Sequence, residues 1–194
     1  MEKMKNFILL SLFSLLLALF ASCDQLPDYT DEIKDAYRSG NHGQIIDGNM
    51  WSAVSKNELE WHDAVWYCKN LDELGYSDWE LPNVDELRTL IQNSPDTETG
   101  GICGMTDECV QQWKSESDLN HPADSCGKEY CRSHEYCSRI HDAYSKLDDN
   151  IILWSSTATA GKDGYALWIE FCSAGIVVGV KSYEHQVRCM RKAD

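Results

Sequence analysis

The chain has 194 residues and is acidic, with 17 Lys and Arg against 32 Asp and Glu and a formal charge of -15. Nucleic acid and anionic lipid surfaces recruit proteins through clustered positive charge, so this balance excludes both as principal partners. The length suits one domain of ordinary size with a leader before it.

Lys3 and Lys5 precede an apolar run from Phe7 to Ala21. The run is shorter than the roughly 20 residues of a spanning helix and small residues follow it, which is the pattern of an export signal. It ends in LFASC, with Ala21 and Ser22 directly before Cys23. This resembles a bacterial lipobox. It implies a signal peptide over 1–22, a diacylglycerol on the Cys23 thiol, and a location in the cell envelope, at the outer membrane or cell surface. The alternative is an ordinary cleaved signal with Cys23 free or paired. Nine cysteines stand at 23, 68, 103, 109, 126, 131, 137, 172 and 189, and setting Cys23 aside leaves 9 − 1 = 8. An exported chain meets an oxidising compartment, so an even set reads as disulfides, in any of 105 pairings.

Residues 23–43 are polar and aperiodic, and read as a tether. A first strand or hairpin follows in QIIDGNMWSAV from Gln44, with Asp47-Gly48 as its turn. Trp61, Ala64, Val65, Cys68 and Leu71 then form one stripe of a helix, which points Cys68 inward. In DWELPNVDEL, from Asp78 to Leu87, Pro82 disfavours a helical Leu81. Asn83 has the place and chemistry of an N-cap, and Glu86 is three residues on to bond back. Val84, Leu87, Leu90 and Ile91 continue as a second apolar stripe. Every polar residue of this stretch except Glu80 thus has a structural task, and the stretch reads as scaffold.

An insert of about 94–150 follows, poor in apolar residues and holding five cysteines. His121, Cys126, Cys131, His134, Cys137 and His141 are zinc-ligand types, but their spacing is looser than CxxC and export favours disulfides, so no metal is expected. Asp148, Asp149 and Asn150 could offer oxygens to calcium or form a solvated turn, and the three adjacent residues point in different directions. Trp113, Tyr130 and Tyr136 either present aromatic faces to a ligand or cover disulfides. The last stretch, 151–194, is β in character: IILWSST, then YALWIEFC with Tyr165, Leu167, Ile169 and Phe171 on one face, a tight turn at Ala174-Gly175, GIVVGV, and QVRCM as the last strand. The fold class is therefore α+β.

Several marks line up in one order: MW at 50–51, EWHDAVWYCKNL at 60–71, GYSDWELPNVDELRTLI at 75–91, LWSST at 153–157, ALWIEF with AGIVVG, and VRCMR at 187–191. Together they resemble the bacterial Lcl C-terminal domain-like family, and in layout are similar to the Fibrobacter major paralogous domains. The resemblance implies an exported domain over 44–194 with a C-type-lectin-like fold: two helices packed on a small, mostly antiparallel sheet, with the cysteine-rich loop as an insert. It also implies a disulfide from the first helix to the last strand, Cys68 to Cys189. Of the remaining cysteines, Cys103 and Cys109 make a reasonable local pair, Cys172 is expected to pair into the insert, and Cys126, Cys131 and Cys137 stay unassigned. A calcium-dependent sugar site of the lectin fold is not expected, because Leu81 separates Glu80 from Pro82-Asn83 and Trp154 is followed by Ser155-Ser156 rather than Asn-Asp.

No GxSxG or HExxH motif is present, and Ser155 and Ser156 lie beside no recognisable nucleophile elbow. The expected function is that of a lipid-anchored, non-enzymatic surface domain without cofactor, binding a polysaccharide or protein ligand in adhesion or recognition. The alternatives are a structural envelope lipoprotein acting only in complexes and an enzyme on a lectin-like frame.

Overall fold

The computed structural model describes residues 43–113, 126, 131, 144–160 and 163–193. The expected signal peptide, Cys23 and the tether up to 42 lie outside the described residues, as do Tyr130, Tyr136, Cys137 and the three histidines of the insert.

Strand β1 (Ile45–Ile46) turns into β2 (Asn49–Val54) through Asp47 and Gly48, whose φ values are 49° and 79°. Two positive φ values in succession are what a tight hairpin turn demands, and Asp-Gly supplies them at low cost. The last strand, β6 (Arg188–Lys192), lies on the other side of β2, giving the antiparallel order β1-β2-β6. The β2–β6 register shifts between Trp51 and Val54. Side chains meet the backbone groups near this irregularity. The Cys189 N–H donates to Ser52 Oγ at 2.8 Å, the Ala53 N–H donates to Glu73 Oε1 at 2.8 Å, and Arg188 Nη1 donates to the Ser52 carbonyl.

Helix α1 (Trp61–Lys69) buries Ala64 and Cys68 and packs against both β6 and β3. Cys68 is bonded to Cys189 of β6, with Cα atoms 5.4 Å apart, so α1 is tied to the first sheet by a covalent link spanning 121 residues of sequence. The short helix α2 (Val84–Arg88) begins with the capping box read from the sequence: Glu86 N–H donates to Asn83 Oδ1 at 2.9 Å and Asn83 N–H donates to Glu86 Oε2 at 3.0 Å. Helix α3 (Asp107–Val110) has no counterpart in the sequence reading, and Thr106 caps it by accepting from Cys109 N–H.

The second sheet is the antiparallel meander β3 (Ile152–Ala158), β4 (Tyr165–Glu170) and β5 (Gly175–Val180). The described strands thus form two small three-stranded sheets where one was expected, both antiparallel, and with the helices they make an α+β fold. Strand β4 also departs from simple alternation. Ala166, Leu167, Trp168 and Ile169 are all buried, because α2 covers one face while Trp168 and Ala166 join the core under α1 on the other. Trp168 lies directly over Gly179 of β5, where an added Cβ would fall within the indole's own volume. Gly179→Ala is therefore expected to cost about 1–3 kcal/mol by overpacking, read as a lowered urea midpoint with an unchanged slope; a neutral result would mean that the ring does not sit there.

The disulfides of the insert correct one expectation. Cys103 pairs with Cys131 and Cys109 with Cys126, not with each other. The start of α3 lies between Cys103 and Cys109, and the capped turn carries Cys109 onto a helix while Cys103 stays in the core, 3% exposed. Cys172 is disulfide-bonded as well, to a partner outside the described residues.

Candidate functional site

The segments that read as scaffold in the sequence meet at one junction. Along β3, Trp154 Nε1 donates to the Leu59 carbonyl at 2.8 Å, and the Ser155 carbonyl accepts from Trp61 Nε1 at 2.8 Å. The Ser156 N–H donates to the Pro82 carbonyl at 2.7 Å, and Thr157 Oγ1 accepts from Val84 N–H at 2.9 Å. Thr157 also bonds Asp107 of α3, whose own N–H donates to Asp85. The run Trp-Ser-Ser-Thr therefore ties the entry to α1, the entry to α2 and the first residue of α3 to one strand. The GYSDWEL block is fixed to β6 in the same way. Glu80 and Met190 exchange backbone hydrogen bonds of 2.8 and 2.9 Å, and Asp78 accepts from Arg191 Nε at 2.8 Å. That hydrogen bond holds the exposed Asp78 carboxyl below the usual carboxylate range. Arg191 also lies 3.9 Å over the Tyr76 ring.

Between α1 and residues 77–81 this arrangement leaves a groove of about 560 Å³. Val65 and Lys69 form one wall, and Ser77, Asp78, Glu80 and Ser156 line the rest. Trp79 and Leu81 complete the lining with apolar surface and pass into the core beneath it. On α1, Trp66 is 66% exposed.

A second cluster gathers Trp154, Trp168, Tyr183 and His185. The His185 ring lies 4.7 Å from Trp154 and 4.5 Å from Trp168, and Tyr183 lies 6.0 Å from Trp168. His185 Nε2 and Trp168 Nε1 are buried without a hydrogen-bond partner among the described residues. Burial pushes the imidazole below its ordinary value, against a weaker upward pull from Glu170. The folded state then binds fewer protons at this site than the unfolded chain. Stability is expected to fall as pH drops through the ordinary histidine value, about 6.5, toward the depressed folded value. Urea midpoints at several pH values check this: the wild type should lose stability relative to His185→Gln between about pH 7 and 5, and parallel profiles would contradict it.

The structure separates the residues singled out from the sequence. Trp113 presents no face to a ligand. It is 2% exposed within the core cluster, and its Nε1 donates to Cys126 Sγ at 3.2 Å, so it covers the Cys109–Cys126 bridge. The acidic turn is also partly committed. Both carboxylate oxygens of Asp149 accept from Arg188, at 2.7 and 2.9 Å, and Asp148 takes the left-handed conformation of the turn, φ 57°. Among the described residues, no group of three or more His, Cys, Asp or Glu converges as a metal site. Ser155 Oγ donates to the Leu167 carbonyl and is fully buried. The groove itself escaped the sequence reading. Its one visible signal was Glu80, the single polar residue of DWELPN without a structural task.

Among curated proteins, none matches the chain. Residues 45–191, most of the sequence, match the Lcl C-terminal domain, from the first strand to the fourth residue of the last. The chain belongs to the Lcl C-terminal domain family.

Proposed function

We propose that the chain is a lipid-anchored, non-enzymatic domain of the bacterial cell surface, on a C-type-lectin-like frame, that binds a polysaccharide or protein ligand in adhesion. The observation that carries this reading is a rigid, cross-linked frame with a solvent-exposed indole, Trp66, on the helix that walls a groove of mixed apolar and polar lining. Rigid scaffolds that hold such features without rearrangement lose little entropy on binding. The bond from Cys68 to Cys189 and the Trp-Ser-Ser-Thr junction supply that rigidity. The LFASC sequence before and including Cys23 supports the anchor. The non-enzymatic reading is supported by the sequence, which holds no GxSxG or HExxH motif, and by Ser155, whose buried hydroxyl is held by the Leu167 carbonyl. A glycan array and a pull-down, both on oxidised protein, test the reading, and binding in neither would contradict it.

A structural lipoprotein acting in complexes is the second reading. Ile45, 58% exposed on the edge strand β1, and Leu74, 47% exposed, favour a neighbouring protein. Crosslinking in intact cells separates the two: constant neighbours without a soluble ligand would favour the complex.

A further inference from the structure

Buried polar side chains on this frame are largely engaged in holding it together. The groove between α1 and residues 77–81 instead offers surface groups to solvent. Lys69, Ser77 and Glu80 are exposed and Ser156 is half-buried, and none of these four side chains makes a hydrogen bond or ion pair among the described residues. Val65, Trp79 and Leu81 add apolar surface between them. Trp66 stands three residues before Lys69 on the same helix, about 60° round its axis at 100° per residue, and so neighbours this groove-lining residue on the helix surface. Helix α1 holds it firmly. Cys68 is bonded to β6 at one end, and Leu59, just before the helix, pairs by backbone with His185 at the other.

We propose that Trp66 and this groove form the binding site for a neutral, hydroxyl-rich polysaccharide. The inference rests on the surface-binding reading above and assigns it a site and a ligand class. A pyranose ring offers an apolar C–H face to an indole, and an aromatic side chain carries large contact area at low conformational cost. Its hydroxyls are each donor and acceptor. They match an ammonium that only donates (Lys69), a carboxylate that only accepts (Glu80) and two hydroxyls that do both (Ser77 and Ser156). An apolar protein segment would cover Val65, Trp79 and Leu81 but strip water from these four groups without replacing the hydrogen bonds, whereas a sugar ring brings both an apolar face and hydroxyls. A polyanionic glycan would meet Asp78 and Glu80 on a chain of formal charge -15.

The test uses the full, oxidised chain and fluorescence titration against soluble β-glucan, mannan, galactan and dextran, with dextran sulfate as the polyanionic counterpart. At least one neutral polymer should bind and dextran sulfate should not. Trp66→Ala should weaken that binding at least about tenfold, the loss typical of an aromatic anchor, and Glu80→Gln should weaken it too. Tyr183→Ala, which removes an aromatic outside the groove, should leave it unchanged. Trp66 is largely exposed, so its variant should keep the wild-type melting temperature. Neutral-polymer binding that survives Trp66→Ala overturns this site and leaves the surface-binding reading standing. Binding of dextran sulfate alone overturns the ligand class. Binding of no polymer, with a protein captured by the same chain, overturns the inference and keeps only the protein arm of that reading; capture of neither overturns both.

Discussion

Replacing Cys68 and Cys189 together by alanine is expected to lower stability by about 4–5 kcal/mol, the chain-entropy value for a loop of roughly 100 residues or more. For a domain of this size that corresponds to a fall of about 10–15 °C in melting temperature. Both sulfurs are fully buried, so the loss is not relieved by solvent. The pair joins elements 121 residues apart, whereas Cys109 and Cys126 are separated by 17. The same double replacement at the shorter bridge should cost closer to 3 kcal/mol. The two variants should also differ in function. Without the long bridge, α1 is free to move from β6 and the groove loses its helical wall, so ligand affinity should fall with stability. The short bridge lies under Trp113 and leaves α1 in place, so its loss should spare the groove. Denaturation and binding measured on both variants check the ranking; equal losses from the two bridges would contradict it.

The second large effect is expected at Arg188 and Asp149. Arg188 is 1% exposed, binds both carboxylate oxygens of Asp149, and donates to the Ser52 carbonyl beside the β2 register shift. Burial pushes the Asp149 carboxyl up while the guanidinium pulls it down, and burial prevails. Such a pair adds little over apolar residues of like volume, yet removing one partner strands the other charge away from water. Asp149→Ala should therefore cost about 3–5 kcal/mol. Arg188→Met combined with Asp149→Leu should cost less than either single change, since no charge is left unpaired. Urea denaturation of Asp149→Ala, of the double variant and of its two single changes checks this; additive losses would show that the two side chains do not act as a pair.

Much of the frame is visible in the residues themselves. The period of Trp61, Ala64, Val65, Cys68 and Leu71 shows α1 and which way Cys68 points, because one buried face imposes a helical repeat. Asn83 and Glu86 show the start of α2, because the cap is made by local atoms only. Asp47-Gly48 shows the first hairpin for the same reason. What stayed hidden depends on distant partners. Nothing local marks Arg88 as buried, yet it donates to the Thr97 and Glu98 carbonyls and pins the start of the insert to α2. The alternation of β4 suggested one covered face, since a sequence does not reveal that a helix and a second core will cover both. The bridges of the insert were illegible because pairing follows the fold rather than proximity along the chain, as Cys103 and Cys109 show. The groove went unread because it is a gap between α1 and residues 77–81, and a gap has no residues of its own.

The connectivity of the sulfurs tests the central claim, a two-sheet frame with α1 fastened to the last strand, most directly. Proteolysis of the unreduced protein followed by mass spectrometry should give a linked peptide pair containing Cys68 and Cys189, with Cys103 linked to Cys131 and Cys109 to Cys126. Recovery of Cys68 as a free thiol, or linked to any cysteine of the insert, would contradict the frame and the groove built on it.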